Sequence, residues 1–384
     1  MAPSRINERK RLISSVSRCR TVESLRAVEK SSSPYVKKPI RERRMNKRLA
    51  LIAIVFGLVF AASAQLKPLV VARTIPTTIK FEGHRSFALP SFCDEKRYSY
   101  IRLLEPGMGM AGPVFRLSKQ GFVEATFDTT DTLENTFAVR PNGGIAAARI
   151  DGKTKVIVNF GPDGEREAEV RLETPPLPFF PMQIAVFPSG GILISGASYR
   201  ENRASTAVYD PEGHLIKQIV LEGDKESEQA SPSNDRKASN SPVIDRSSIS
   251  RSVAITGDDG NVYLMRATAP PTVYAISPTG EVLQKIVVPS PAGAAWPRFG
   301  IRVTKNKLVV EFYRECSNRL DSGSCKGTVL SVLEASTGKP MVNYESEETA
   351  GSVIACYVPD PDRFFMFQDA PNGTAITVVE SVPK

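Results

Sequence analysis

The sequence is poor in the residues that most often carry chemistry. Its 384 residues hold 2 histidines, 1 tryptophan and 5 cysteines. No H-E-x-x-H, G-x-S-x-G, P-loop or C-x-x-C pattern occurs in it, so the zinc-protease, nucleophile-elbow, phosphate-cradle and dithiol signatures are all missing. A Ser-His-Asp triad needs no fixed spacing, but only His84 and His214 exist to serve one. His214 follows a turn glycine and reads as a surface residue, whereas His84 follows a candidate strand. Long apolar runs are scarce too. The longest, Leu49–Ala62, falls short of the ~20 residues that a membrane-spanning helix needs.

The charge that is present is unevenly placed. Of the 50 Lys/Arg and 41 Asp/Glu, 15 and 4 fall in residues 1–64, which leaves 35 and 37 beyond, a net of −2. The basicity of the whole chain therefore belongs to its leader, and no nucleic-acid partner is expected for the rest. Within the leader, Met45-Asn46-Lys47-Arg48, the apolar run and Ala62-Ser63-Ala64 have the order of a signal peptide. This predicts export to a periplasmic or extracellular compartment, with cleavage after Ala64 and no stable membrane span afterwards. An uncleaved signal anchor is the alternative. Residues 1–44 are either a disordered basic extension or a stretch ahead of a true start at Met45. The four cysteines after Ala64 suit export. Cys316 and Cys325 bracket a polar loop and form the natural local pair. Cys93 and Cys356 then either pair, tying the start of the fold to its end, or are buried free thiols.

The segment Arg251–Pro289 sets the pattern for the rest. Apolar runs at Ser252–Ile255, Asn261–Met265, Thr272–Ile276 and Glu281–Val288 alternate with Gly-, Asp- and Pro-containing turns, the signature of a four-stranded antiparallel meander. Its third turn recurs with glycines at 121, 164, 213, 280 and 338, spaced 43, 49, 67 and 58 residues apart, close to or above a propeller-blade period of about 40–50. The first turn recurs at Arg140–Gly143 and Phe187–Gly190. Blades are expected at 92–128, 136–173, 183–222, 251–289 and 299–345, with a sixth from Ser352 that lacks one strand. Thr77–Phe81 belongs to no other blade and can supply that strand, closing the ring and removing two sheet edges. The expected fold is thus all-β, a single six-bladed propeller of four-stranded antiparallel blades over residues 65–384. Seven blades is the alternative if 66–92 holds a fuller unit. Gly223–Ser250 is rich in Ser, Asp, Lys and Asn and reads as a flexible insertion.

Val253-Ala254-Ile255, Asp259-Gly260 and Asn261-Val262-Tyr263-Leu264 resemble the six-bladed propellers of the NHL-repeat type. Met265-Arg266 stands where that type often has Asp, and Pro271-Thr272-Val273 where it often has Asn-x-Arg. The resemblance implies the fold and transfers no site residue.

Two functional readings follow. In the first, the chain is a non-catalytic ligand- or protein-binding module, with no cofactor. It acts as a monomer whose loops at one end, around 197–204, 223–250 and 316–325, receive a peptide, glycan or protein. Tyr199, Arg200, Phe179, Phe180 and Trp296 are its candidate contacts, since exposed aromatics rimmed by polar groups hold such ligands. In the second, acidic residues at the ends of inner strands, Asp94, Glu95, Asp258 and Asp360, gather around Ca²⁺ in the channel. The protein would then be a metal-dependent hydrolase, similar in architecture to propeller lactonases. Propellers host many functions, so fold alone does not choose between them.

Overall fold

The computed structural model describes residues 66–80, 87–104, 111–134, 136–198, 203–221, 249, 251–317, 325–369 and 375–384. The leader, its cleavage site, His84, Tyr199, Arg200 and the insertion apart from Ile249 lie outside the described residues. In chain order the strands are β1 (Leu66–Lys80), then β2–β5 (Phe87–Cys93, Ser99–Leu104, Ala111–Leu117, Val123–Phe127) and β6–β9 (Phe137–Val139, Ile145–Asp151, Thr154–Phe160, Arg166–Arg171). They continue with β10–β13 (Phe180–Val186, Ile192–Ser198, Arg203–Tyr209, Leu215–Ile219) and β14–β17 (Val253–Thr256, Val262–Arg266, Thr272–Ile276, Val282–Val287). The last are β18–β21 (Ala294–Thr304, Lys307–Cys316, Cys325–Glu334, Pro340–Ser346) and β22–β24 (Val353–Val358, Arg363–Asp369, Ala375–Pro383).

The strands form an all-β propeller arrangement. Four separate sheets each contain four antiparallel strands in sequence order, β2–β5, β6–β9, β10–β13 and β14–β17. A fifth, eight-stranded sheet runs β18-β19-β20-β21-β1-β24-β23-β22. The first strands pack side by side in a closed circuit, β2 against β6, then β10, β14, β18 and β22, and back to β2. The core lies in the wedges between successive sheets. Ile157 and Ala146 of one sheet face Ile184 and Ile194 of the next, and Leu193 and Val208 of that sheet face Leu264 and Tyr274 of the following one. Middle strands such as β15 and β16 are therefore buried throughout, while the outermost strands, such as β9, are mostly exposed.

β1 reaches further than the short closing strand expected at Thr77–Phe81, since it starts at Leu66. It runs antiparallel to β24 from Leu69 to Lys80, and its first residues, Leu66–Pro68, pair parallel with β21 at Asn343–Glu345. Leu69, Ile75 and Ile79 are buried, so the strand is held by side chains as well as by its ladder. Gly121 shows why the turn glycines recur. It has φ +84°, and a Cβ there would lie 2.4 Å from the Pro76 carbonyl of β1. Gly164 stands in the same relation to Thr126 of β5. Gly213 does the same against Arg171 of β9, whereas at Gly280 and Gly338 a Cβ would meet the Lys217 and Ile286 side chains of the preceding outer strands.

Cys93 is bonded to Cys356, and Cys316 to Cys325, so the free-thiol alternative does not hold. Two boundaries differ from expectation. Trp296 falls within β18 and Phe180 within β10, because both strands begin inside the Pro-rich stretches, where Pro297 is paired with Phe312 and Pro181 with Gly196. Among the described residues no helix is long and apolar enough to cross a membrane.

Candidate functional site

In each four-stranded sheet the turn joining the first two strands lies at one end, and the connection between second and third strands at the other. A cavity of 560 Å³ opens at the first-turn end of the channel. Its wall comes from the ends of all six first strands, with Phe92, Val139, Val186, Ile255, Val303 and Val358 among the apolar contributors. Its rim is the set of first turns. The loop segments singled out in the sequence attach at the opposite end.

Three of the four candidate metal ligands, Asp94, Glu95 and Asp258, line this cavity, and Asp360 follows the lining residue Pro359. Most of these carboxylates are already engaged. Asp94 accepts from the Tyr98 backbone N–H at 2.9 Å and from the Tyr100 hydroxyl at 3.0 Å. Asp258 accepts from the Lys305 N–H at 2.6 Å and the Thr304 hydroxyl at 3.3 Å. Asp360 lies 3.2 Å from the Lys307 ammonium. Asp259 and Asp362, outside the cavity lining, repeat the Asp94 device. Tyr263 donates to Asp259, and Tyr344 and Tyr357 donate to Asp362. Burial first, and then the carboxylate beside it, push the Tyr100 and Tyr357 phenols well above the ordinary range. Among the described residues no three His, Cys, Asp or Glu side chains converge as a metal-binding group. A donor set already capped by hydroxyls and N–H groups, and sharing its rim with cations, does not fit Ca²⁺.

Those cations were not singled out in the sequence. Lys96, Arg97, Arg140, Arg302 and Lys305 line the cavity against three acidic side chains. Arg140 is paired with Glu167. Arg302 is buried and donates to the carbonyls of Ile301, Ile354, Ala355 and Ser91. Burial lowers its pKa to about 10, with Glu311 opposing the shift, so it stays charged at neutral pH. None of its acceptors is a carboxylate.

The first turns also differ in their backbone. Gly143, Gly190 and Gly260 take positive φ at the turn end, and each donates its N–H to a carbonyl three residues earlier. Arg97 occupies the same position, with φ 67° and its N–H on the Asp94 carbonyl at 2.9 Å. Lys305 has φ 48°. A non-glycine residue in this region costs roughly 1–2 kcal/mol.

Of the proposed aromatic contacts, Phe179 is buried beneath Lys155, whose ammonium sits 4.8 Å from the ring centroid. Phe180 is 36% exposed. Trp296 is half-buried and tilts onto Tyr313, with centroids 5.8 Å apart. Arg298 covers the same Tyr313 ring at 4.7 Å. His214 is an exposed residue bonded to Asp210 at 2.9 Å, and that hydrogen bond raises its pKa.

No protein-family model and no curated protein matches the chain. Solved structures share its arrangement at low identity. One is a protein of unknown function from Dyadobacter fermentans, with TM-score 0.47 and 10% identity, covering 82% of this chain and 99% of its own. A second, of unknown function from Bacteroides caccae, has TM-score 0.43 and 11% identity over 75% and 96%. A third, assigned as a gluconolactonase, has TM-score 0.46 and 13% identity over 82% and 97%. At these values nothing about substrate or site follows.

Proposed function

We propose that the chain is an exported, six-bladed propeller that binds a small ligand at the mouth of its channel and performs no catalysis. The observation that carries this reading is the cavity itself. Its volume lies in the range that holds metabolite-sized ligands, and apolar walls with a few polar groups at the rim are the usual composition of such sites. Of the acidic lining residues, Asp94 and Asp258 are engaged by hydroxyl and N–H donors, which removes both as free general bases beside the wall. Six blades are supported by the circuit of six first strands and by β1 serving as the outer strand beside β24. Export is supported by two disulfides, which persist in oxidising compartments, and by the signal-peptide form of residues 45–64. A peptide, glycan or protein partner at the opposite end is the second reading, favoured by the half-buried Trp296 tilted onto Tyr313.

The test is a thermal-shift screen of small metabolites against the full chain and a Val139→Phe variant that fills the cavity. A ligand at ~100 times its Kd adds about 2.7 kcal/mol to the native state. Hits are expected to raise the melting temperature of the wild type and not of the variant, and to be recovered chemically unchanged. Equal shifts in both proteins would reject the channel site, and turnover of a hit would reject the non-catalytic reading.

A further inference from the structure

We propose that the channel-mouth ligand is an organic anion, with a compact apolar body against the valine-rich wall and a carboxylate among Lys96, Arg97 and Lys305. This rests on the channel-site reading above and adds the ligand class.

Three observations converge on it. First, Lys96, Arg97 and Lys305 line the cavity without an ion-pair partner among the described residues. The three acidic lining residues, Asp94, Glu95 and Asp258, balance them in number, but the carboxylates of Asp94 and Asp258 are turned onto hydroxyl and N–H donors and form no salt bridge with them. Second, buried Arg302 adds a charge whose hydrogen bonds all go to carbonyls and the Ser91 hydroxyl, with Glu311 the carboxylate that acts on it electrostatically. A cleft with low-dielectric walls focuses such a field outward along its axis. Third, Arg97 keeps a long cationic side chain at the turn position that Gly143, Gly190 and Gly260 fill elsewhere in the circuit. Glycine would be unstrained at that φ, so the fold does not ask for arginine there. A ligand does. Among the lining residues that lie on the strands, Arg302 is the only charged one, which suits an apolar body rather than a polyanion.

The experiment measures binding of 2-naphthoate, 2-naphthylmethanol and 2-naphthylmethylammonium to the full chain by isothermal titration calorimetry. The same probes are applied to the triple variant K96Q/R97Q/K305Q and to Val139→Phe. The cationic leader is common to all proteins, so differences between them report the cavity. Naphthoate is expected to bind at least tenfold more tightly than the alcohol, with the ammonium weakest. Its affinity should fall as salt is raised. The triple variant should lose that preference while keeping the alcohol affinity and the melting temperature. Binding of the alcohol or the ammonium as tightly as naphthoate would overturn the anion proposal. So would a preference that survives in the triple variant, or failure of all three probes to bind. If the alcohol binds and Val139→Phe abolishes it, the channel site stands even when the anion preference is absent. If Val139→Phe leaves naphthoate binding unaltered, the channel reading itself fails.

Discussion

Asp362 shows how a carboxylate near the channel turns is spent on structure. It accepts from the Tyr344 and Tyr357 hydroxyls, each at 2.6 Å, and from the Lys307 ammonium at 3.1 Å. Burial works against its charge, but the bonds from Tyr344, Tyr357 and Lys307 outweigh it and hold its pKa below the ordinary value. A carboxyl whose folded pKa is lowered contributes stability above its unfolded pKa, near 3.9, and loses it as pH falls through the folded value. Asp362→Asn is therefore expected to destabilise the protein by about 1–3 kcal/mol at neutral pH. It should also flatten the loss of stability below about pH 4. Urea denaturation at pH 7 and at pH 3 checks both, and equal losses at the two pH values would contradict the assignment. Nothing local in the sequence marks Asp94, Asp259 and Asp362 as tyrosine-capped. The capping tyrosine can come from the following strand, as Tyr100 does, or from the preceding blade, as Tyr344 does. Acidic residues at the ends of inner strands were legible in the sequence. Their being already occupied was not, and neither was the cationic balance of the rim.

Among the elements, β1 is the one on which the others depend. It shares a ladder with β24 over most of its length and with β21 at its start. Its Ile75 and Ile79 pack with Ile101, Leu103 and Leu117 of the first four-stranded sheet. Without it, β24 and β21 would expose unpaired edges, and three buried apolar side chains would lose their cover at about 1.5–3 kcal/mol each. Deleting residues 66–80 should lower the melting temperature of the whole propeller and promote self-association, readable by scanning calorimetry and light scattering. An unchanged melting temperature would show that the ring does not use this strand. The closing strand was legible because the last repeat lacks a strand and the sequence Thr77–Phe81 has β-forming residues with no repeat of its own. Its extension back to Leu66 was not. Pro68 and Pro76 interrupt the apolar alternation that marks a strand, and an edge position tolerates proline only once its neighbours are known. Val282, Leu283 and Val287 of β17 are 43–54% exposed, because an outermost strand has no further strand to cover it.

For the molecule as a whole, the Cys93–Cys356 bond joins residues 263 apart in sequence, from β2 to β22. It fastens the first sheet to the sheet that β1 completes. Cys316–Cys325 spans only 9 residues and clips a single hairpin. The chain-entropy view assigns the greater stabilisation to the longer loop. Replacing Cys93 and Cys356 together with alanine is expected to cost about 2–5 kcal/mol, and replacing Cys316 and Cys325 less. Guanidinium unfolding of the two double variants makes the comparison, and a larger loss for the hairpin pair would reverse the ranking. Non-reducing peptide mapping should recover both linked pairs.

Information carried by neighbours in sequence was sufficient for much of this protein. Strands, turn glycines and the four-stranded repeat arise from side-chain periodicity and backbone sterics within stretches of about 40–50 residues. The Cys316–Cys325 pair is equally local. Even closure of the ring was available, as a subtraction of one missing strand from another left over. Only the tertiary structure placed a cavity at the first-turn end of the channel and decided which charges meet there. Lys96 and Lys305 belong to the first and fifth repeats, Asp258 turns from the fourth to cap the Lys305 backbone, and Arg302 is buried by carbonyls from β22 and β2. Those encounters depend on the curvature that brings six first strands around one axis, and no interval along the chain encodes that distance.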